Sequence, residues 1–184
     1  MQRGLGGSPH ERLHQDRALP IYLTLMPKLG SSNSKEQSSH LSTIIPLFKD
    51  YKICRLGDRD FCSVKLAKWL SGKSVYFCLR LKKNEFIEVK NKIWIELSEL
   101  GLVPGTSVFL QGVKITKTKG FSPFNVACKW KRSISGFISK EGWFIMTNLN
   151  SLDLAIAAYK KRFGIEEAMQ RGLGEAARSW GSPP

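Results

Sequence analysis

Hydrophobic and polar positions follow two periods along the chain, and the change of period separates predicted strands from predicted helices. Helical spacing of apolar residues predicts helices over 35–49 and 61–70, with Pro46 weakening the first near its end. Short runs rich in β-branched and aromatic residues predict strands at 18–26, 51–56 and 74–81. The alternation of strands and helices predicts a mixed or parallel sheet with helices packed on it.

Residues 85–147 have no helical period and contain short strand-like runs instead. Gly, Pro or charged residues separate these runs at intervals typical of antiparallel meanders. The runs are 86–89, 93–97, 107–111, 113–117, 125–130, 133–138 and 143–147. The helical period returns after Ser151, a candidate N-cap.

The chain therefore divides into five predicted segments. An irregular head and an irregular tail flank an α/β core, and a β-rich insertion interrupts that core. The segments are 1–18 (head), 19–84 (core, first part), 85–142 (β-rich insertion), 143–169 (last core strand and helix) and 170–184 (tail).

The charge balance narrows the choice of partner. The 184 residues include 29 Lys and Arg against 15 Asp and Glu, a formal net charge of +14. So large a surplus favours a polyanion, most often nucleic acid, although a merely soluble basic protein is the alternative. No apolar run approaches the roughly 18 residues of a membrane span, and the first twenty residues lack the apolar part of a signal peptide. We therefore expect a cytoplasmic, nucleoid-associated protein without membrane contact.

The four cysteines, Cys54, Cys62, Cys78 and Cys128, form no Cys-x2-Cys pair, and each lies in an apolar run. We interpret them as small buried hydrophobic residues in a reducing compartment, rather than as disulfide partners or zinc ligands.

Asp58 is the first candidate site residue. It follows the predicted strand 51–56, and Gly57 permits a tight exit from that strand. Acids at the carboxyl ends of such strands face the ligand crevice. The alternative is that Asp58 caps the helix beginning near Phe61, with Asp60 in its first turn.

A second candidate group lies on the last predicted helix. Tyr159, Arg162 and Glu166 follow the spacing i, i+3 and i+7, so they share one helix face. Lys160 and Lys161 add a basic run that is suited to phosphate contact. The alternatives are a solvated face and an ordinary Arg162–Glu166 pair.

Two acids among basic residues can hold a divalent metal against a phosphodiester. The predicted insertion adds basic and aromatic residues compatible with a DNA-facing surface. These residues are Lys114, Lys117, Lys119, Lys129, Lys131, Arg132, Phe121, Phe124 and Trp130, of which Trp130, like Trp143 and Phe144, is also a core candidate.

Four segments resemble the insertion-sequence transposases of the DDE type, in the IS-four-like family with a Tyr-x2-Arg-x3-Glu-x6-Lys signature. The likeness extends from about Leu19 to Glu167. Its most specific part is a strand, a Thr-Asn-Leu, a short spacer and then Tyr-x2-Arg-x3-Glu. The segments are LPIYLTLMPKLGSSN, LGDRDF, YFCLRLKK and WFIMTNLNSLDLAIAAYKKRFGIEE.

The resemblance implies a ribonuclease-H-like mixed sheet with a β-rich insertion between the second and third catalytic acids. It implies that Asp58 and Glu166 are two of the acids that hold Mg²⁺ or Mn²⁺ for phosphodiester hydrolysis and strand transfer. It further implies that Tyr159 and Arg162 contact DNA, the transposon ends being the partner. A homodimer is left open.

Two departures from the family pattern change the expected activity. The signature lysine would fall at position 173, which is Leu173, and Asp16 lies too close to the strand at Leu19 to be the first catalytic acid. We therefore expect a transposase truncated or frameshifted at both ends and catalytically defective. A non-enzymatic nucleic-acid-binding module built on the insertion, and a pseudogene product without function, are the alternatives.

Overall fold

The computed structural model describes residues 32–90, 92–116, 123–132 and 141–162. The chain divides into two compact units, one spanning Thr24–Tyr159 and the other comprising Met1–Leu23 with Lys160–Pro184. Every strand described below belongs to the first unit. In the second unit the described residues are 160–162, which are helical. The predicted strand at 18–26 and the run 133–138 lie outside the described residues.

Helices and strands alternate at first and give way to strands. The α-helices within the described ranges are α1 (Ser34–Ile44), α2 (Val64–Gly72) and α3 (152–162). Short 3₁₀ helices span Ile45–Phe48, Arg59–Phe61 and Leu97–Leu100. The strands are β1 (Cys54–Gly57), β2 (Tyr76–Arg80), β3 (Phe86–Lys90), β4 (Ile93–Glu96), β5 (Ser107–Ile115), β6 (Phe124–Lys129) and β7 (Trp143–Thr147).

The strands form one mixed sheet. Their order is β1-β2-β7-β6-β5-β3-β4. β1 and β2 are parallel, with α2 in the connection between them, whereas the other neighbouring pairs are antiparallel. The predicted α/β class with a mixed sheet is confirmed. The strands of the predicted insertion extend the sheet, because β6 pairs directly with β7.

Local sequence signals set the ends of the first two helices. Asn33 caps α1, and its side chain and that of Glu36 form a reciprocal capping box. The predicted helix 35–49 ends as an α-helix at Ile44, and Pro46 lies in the first turn of the 3₁₀ helix that follows. Proline cannot donate the next α-helical hydrogen bond, which explains the change of helix type.

Both faces of the sheet are buried at β2. Phe77 and Leu79 point into a core that includes Leu66 and Leu70 of α2. Cys78 points the opposite way, into a second core with Ala155, Ile156 and Tyr159 of α3. Successive strand residues face opposite sides, so α2 and the 152–159 part of α3 cover the two faces of the sheet.

Two predictions, one on the strands of the insertion and one on the cysteines, need correction. The runs 107–111 and 113–117 are joined in one strand, β5, which continues through Gly112 at φ +60° and a register irregularity and ends at Ile115. Residue 117 lies outside the described residues. The prediction that all four cysteines are buried is wrong for Cys54, which is exposed, and Cys62 is only half-buried. Cys78 and Cys128 are buried.

Among the described residues, no helix combines the length and the apolar character needed to cross a membrane.

Candidate functional site at the carboxyl edge of the parallel strands

Three charged residues meet where the parallel strands end. Asp58 directly follows β1, and Arg80 is the last residue of β2. Glu141 lies two residues before β7, which runs antiparallel to β2. Parallel strands present their carboxyl ends at the same edge, and the antiparallel neighbour begins there. Residues from three distant parts of the chain therefore share one edge of the sheet.

Arg80 lies between the two carboxylates. Its Nη2 donates to Oε1 of Glu141 at 3.0 Å, whereas its Nη1 lies 4.0 Å from Oδ1 of Asp58. Arg59 also forms an ion pair with Glu141. The Arg80 side chain is 15% exposed and that of Asp58 is 36% exposed. Arg80 is thus fixed mainly by Glu141, and Asp58 remains open to solvent.

Tyr159 brings the last described helix to the same edge. Its hydroxyl donates to Oδ1 of Asp58 at 3.5 Å, across 101 residues of sequence. The Tyr159 ring is fully buried and packs edge-on against Trp143, with ring centroids 5.4 Å apart. One member of the Tyr-x2-Arg-x3-Glu motif therefore contacts the acid at the tip of β1.

The helix-capping alternative for Asp58 is met in position but not by its side chain. Ser63 is the N-cap of α2, and its hydroxyl accepts from the N–H of Leu66 at 3.4 Å. Asp58 does precede the 3₁₀ helix Arg59–Phe61, but its side chain makes no capping hydrogen bond to that described segment. Its carboxylate is directed instead toward Arg80 and Tyr159.

The Thr-Asn-Leu segment joins β7 to β2 beyond the end of their backbone pairing. The amide of Asn148 replaces a peptide group: its Oδ1 accepts from the N–H of Phe77, and its Nδ2 donates to the carbonyl of Val75, both at 3.0 Å. The buried Thr147 hydroxyl donates to the carbonyl of Phe77 at 2.6 Å. These bonds fix the direction in which the chain leaves β7.

The same segment is also tied to β6. Nδ2 of Asn125 donates to the carbonyl of Leu149 at 2.8 Å, and Leu149 packs against the second core. The N–H of Leu149 donates to the Thr147 hydroxyl at 3.0 Å. The short spacer before α3 is therefore held by side chains from two strands, which positions Tyr159 at the site.

The other predicted residues of the last helix are placed only in part. Lys160 and Lys161 are exposed, and Arg162 is partly buried. Glu166 lies outside the described residues, as does its predicted pairing with Arg162. The proximity of Asp58 and Glu166 therefore stays a prediction, whereas Tyr159 of the same motif lies beside Asp58.

The basic residues of the insertion have mixed surroundings. Lys114 pairs with Glu88 at 2.7 Å, and Nζ of Lys131 lies 5.3 Å from the ring centroid of Trp143. Phe124 is buried and packs edge-on against Phe77, so this aromatic residue belongs to the core. Phe144 is buried as expected, and Trp130 and Trp143 are partly buried against the cores. Lys117, Lys119 and Phe121 lie outside the described residues.

The described carboxylates do not by themselves form a metal centre. Within the part of the chain that the structure describes, no three His, Cys, Asp or Glu side chains come together. Asp58 and Glu141 are separated by the Arg80 guanidinium, which contacts both. A cation at this position would have to compete with that permanent positive charge.

Sequence reasoning missed Arg80 and Glu141 as members of the site. Arg80 is the second-to-last residue of the predicted strand 74–81, but the strand order that brings it to Asp58 is set by pairing across the sheet. Glu141 lies 61 residues from Arg80. The sequence signal for Glu141 is its position just before the predicted strand 143–147. That position points to the site only when β7 is known to pair with β2.

Comparison of the chain with protein-family models and with curated proteins finds no match. The site's own residues define its chemistry. Two carboxylates, a phenolic hydroxyl and two guanidinium groups lie at one edge of the sheet. Guanidinium groups favour phosphate oxygens, and an exposed carboxylate attracts cations.

Proposed function

We propose that this chain is a DNA-binding protein of the DDE-transposase class, with Asp58 and Glu166 as two of the three acids of that class. The observation that supports it most is the approach of the Tyr159 hydroxyl to Asp58 Oδ1, at 3.5 Å. Tyr159 belongs to the motif that carries the resemblance, and Asp58 belongs to the other motif. Their contact is what a shared site requires.

The order of elements gives a second line of support for a ribonuclease-H-like core. Asp58 lies at the carboxyl end of a strand in a parallel pair with a helical connection. Strands β3 to β6 intervene before the last core strand, β7, and α3. This arrangement agrees with a β-rich insertion between an acid on a strand and an acid on a helix.

The charge supports DNA as the partner. A net charge of +14 on 184 residues would make binding to a polyanion favourable and strongly dependent on salt. Lys160 and Lys161 are exposed next to Tyr159 in sequence. Two exposed ammonium groups in succession can each contact a phosphate.

Metal chemistry completes the proposal. Mg²⁺ or Mn²⁺ would be held by Asp58 and Glu166, and when bound it would activate an attacking water or 3′-hydroxyl and stabilise the leaving oxygen. The guanidinium of Arg80 lies 4.0 Å from Oδ1 of Asp58, and its positive charge would compete with the metal. We therefore expect weak metal binding and no strand transfer by this chain alone.

The test of DNA binding is fluorescence anisotropy with a random-sequence duplex over a series of salt concentrations. We expect the affinity to fall steeply with salt. The variant Lys160→Gln/Lys161→Gln should lower the log–log salt slope by about 0.9 per lost phosphate contact. The control Lys65→Gln/Lys68→Gln makes the same charge change at exposed positions of α2 and should alter the slope less.

Each outcome decides between the alternatives. Unchanged binding in the Lys160/Lys161 variant would favour a module built on the insertion, and no binding at all would favour a product without function. Nicking of supercoiled plasmid with Mn²⁺ that is lost in Asp58→Asn would overturn the expected inactivity while supporting the site. Binding without nicking is the result we expect.

A further inference from the structure

Two guanidinium groups converge on one carboxylate oxygen at the Asp58 edge. Nη2 of Arg59 and Nη2 of Arg80 both pair with Oε1 of Glu141, the latter at 3.0 Å. Arg59 follows β1 and Arg80 ends β2, so the parallel pairing of these strands brings the two cations together. Glu141 lies just before β7, and its carboxylate pairs with both guanidinium groups.

Glu141 leaves part of this donor set unused. Nε of Arg59 is buried and has no hydrogen-bond partner within the described part of the chain. Nε and Nη2 form the edge of a guanidinium that takes an oxyanion in a bidentate fashion, and the ion pair with Glu141 joins its Oε1 to Nη2. A tetrahedral phosphate has enough oxygens to occupy both donors of Arg59 and Nη2 of Arg80 at once.

We propose that Arg59 and Arg80 form a phosphate-binding site that Glu141 fills as an internal anion. A phosphate group binds by displacing the Glu141 carboxylate from the two guanidinium groups. The negative charge of Glu141 thereby limits the affinity of this edge for phosphate. The assignment of a phosphodiester as the natural ligand rests on the proposed function. The competition between Glu141 and a phosphate group does not depend on that function.

The exposure of the cluster permits this exchange. The side chains of Arg59 and Glu141 are 35% and 31% exposed, so water can solvate the released carboxylate and screens the existing pair. Arg80 is only 15% exposed, so the side chains packed around it limit the movement of its guanidinium when Glu141 leaves. The negative charge of Asp58 repels an incoming phosphate, and the Arg80 guanidinium would lie between the carboxylate of Asp58 and that phosphate.

A structural role for Glu141 makes a different prediction. As a tie between β1, β2 and β7, Glu141 would contribute to stability, and its removal would not improve anion binding. The proposal requires that removal of its charge strengthens phosphate binding. The direction of the change in affinity therefore separates the two roles.

The experiment compares Glu141→Gln with Glu88→Gln. Glu88 pairs with Lys114 at 2.7 Å, so the control removes one negative charge and releases one cation in the same sheet. Inorganic pyrophosphate binding is measured by calorimetry, and duplex DNA binding by anisotropy. We expect Glu141→Gln to bind pyrophosphate roughly tenfold more tightly than the parent chain, while Glu88→Gln changes little.

Second variants test the donors. Arg59→Gln in the Glu141→Gln background should remove the gain, and since Arg59 is partly exposed this variant is expected to fold. Arg80→Lys in the same background keeps the charge but not the planar fork, and it should reduce the gain. Circular dichroism and the urea midpoint identify folded variants before binding is compared.

The outcomes separate this inference from the proposed function. Equal pyrophosphate affinity in Glu141→Gln and Glu88→Gln overturns the inference, even where the parent chain binds DNA. A gain that is specific to Glu141→Gln but accompanied by no DNA binding in any variant supports the inference and overturns the proposed function. A gain that survives Arg59→Gln also overturns the inference, because the assigned donor is then not used.

Discussion

Tyr159 combines a packing role and a polar contact in one side chain. Its ring is fully buried against Trp143, and its hydroxyl reaches the partly exposed Asp58. A buried tyrosine commonly finds a hydrogen-bond partner for its hydroxyl, and here that partner is an acid on a different element. The residue therefore couples the position of the helix to the tip of β1.

Replacing Tyr159 should separate the two roles. Tyr159→Phe removes the hydroxyl only, and at a donor–acceptor distance of 3.5 Å we expect a loss of about 1 kcal/mol or less in the free energy of unfolding. Tyr159→Ala also removes the buried ring, and the loss should reach about 3–5 kcal/mol. Urea unfolding at equilibrium measures both; equal losses would show that the ring contributes little.

The cysteines provide a chemical test of burial. Burial raises the pKa of the Cys128 thiol to about 12, and a hydrogen bond with Cys54 together with burial raises that of Cys78. Because only thiolates react readily, iodoacetamide at a pH of about 8 should modify the exposed Cys54 long before Cys78 and Cys128. Peptide mass spectrometry with and without denaturant measures the order. Early labelling of Cys128 in the native protein would contradict its assigned burial.

At the scale of elements, the close approach of β1 to β2 depends on one glycine. A Cβ at Gly57 would lie 2.7 Å from Cδ2 of Leu79, which is in register with it. Leu79 is fully buried, so it has little room to move. Gly57 also immediately precedes Asp58, and its substitution would displace the tip of the strand that carries the site.

Gly57→Ala should therefore destabilise the fold by about 1–3 kcal/mol through overpacking. Gly72→Ala is a matched control, because a Cβ there meets nothing within 4 Å and Gly72 lies in the last turn of α2. The control should be neutral or stabilising by about 0.4–1 kcal/mol. Thermal and urea unfolding of the two variants give the comparison; a neutral Gly57→Ala would mean that Leu79 can repack.

At the scale of the whole described sheet, the insertion is joined to the core by backbone pairing. β6 pairs with β7 over five residue pairs from Asn125 with Thr147 to Lys129 with Trp143. Phe124 and Val126 of β6 share the first core with Phe77 of β2. These strands cannot separate without exposing that core.

We therefore expect the strands of the insertion and the parallel pair to unfold together. Tryptophan fluorescence and far-ultraviolet circular dichroism should give coincident urea transitions, as two-state unfolding requires. Hydrogen exchange adds local detail, and amides of β6 and β2 should show similar protection. An earlier transition confined to β5 and β6 would contradict this coupling.

Three elements show which features of the fold the sequence alone predicts and which it does not. The strand predicted at 143–147 is β7, Trp143–Thr147, because its apolar residues are contiguous and bounded by turn residues. Asp58 directly follows β1 as predicted, for a similar reason. The sequence around Gly112 predicts two strands where the structure has one, since a glycine in a strand pattern does not reveal whether the strand resumes in the same direction.

The sequence by itself determined the α/β class, the basic charge, the location of Asp58 just after a strand and that of Tyr159 within a helix, because local periodicity and composition carry that information. Only the tertiary structure decided that Arg59, Arg80 and Glu141 meet beside Asp58. Their meeting depends on strand order and direction, which arise from hydrogen bonding between segments far apart in the chain. No local pattern encodes that pairing.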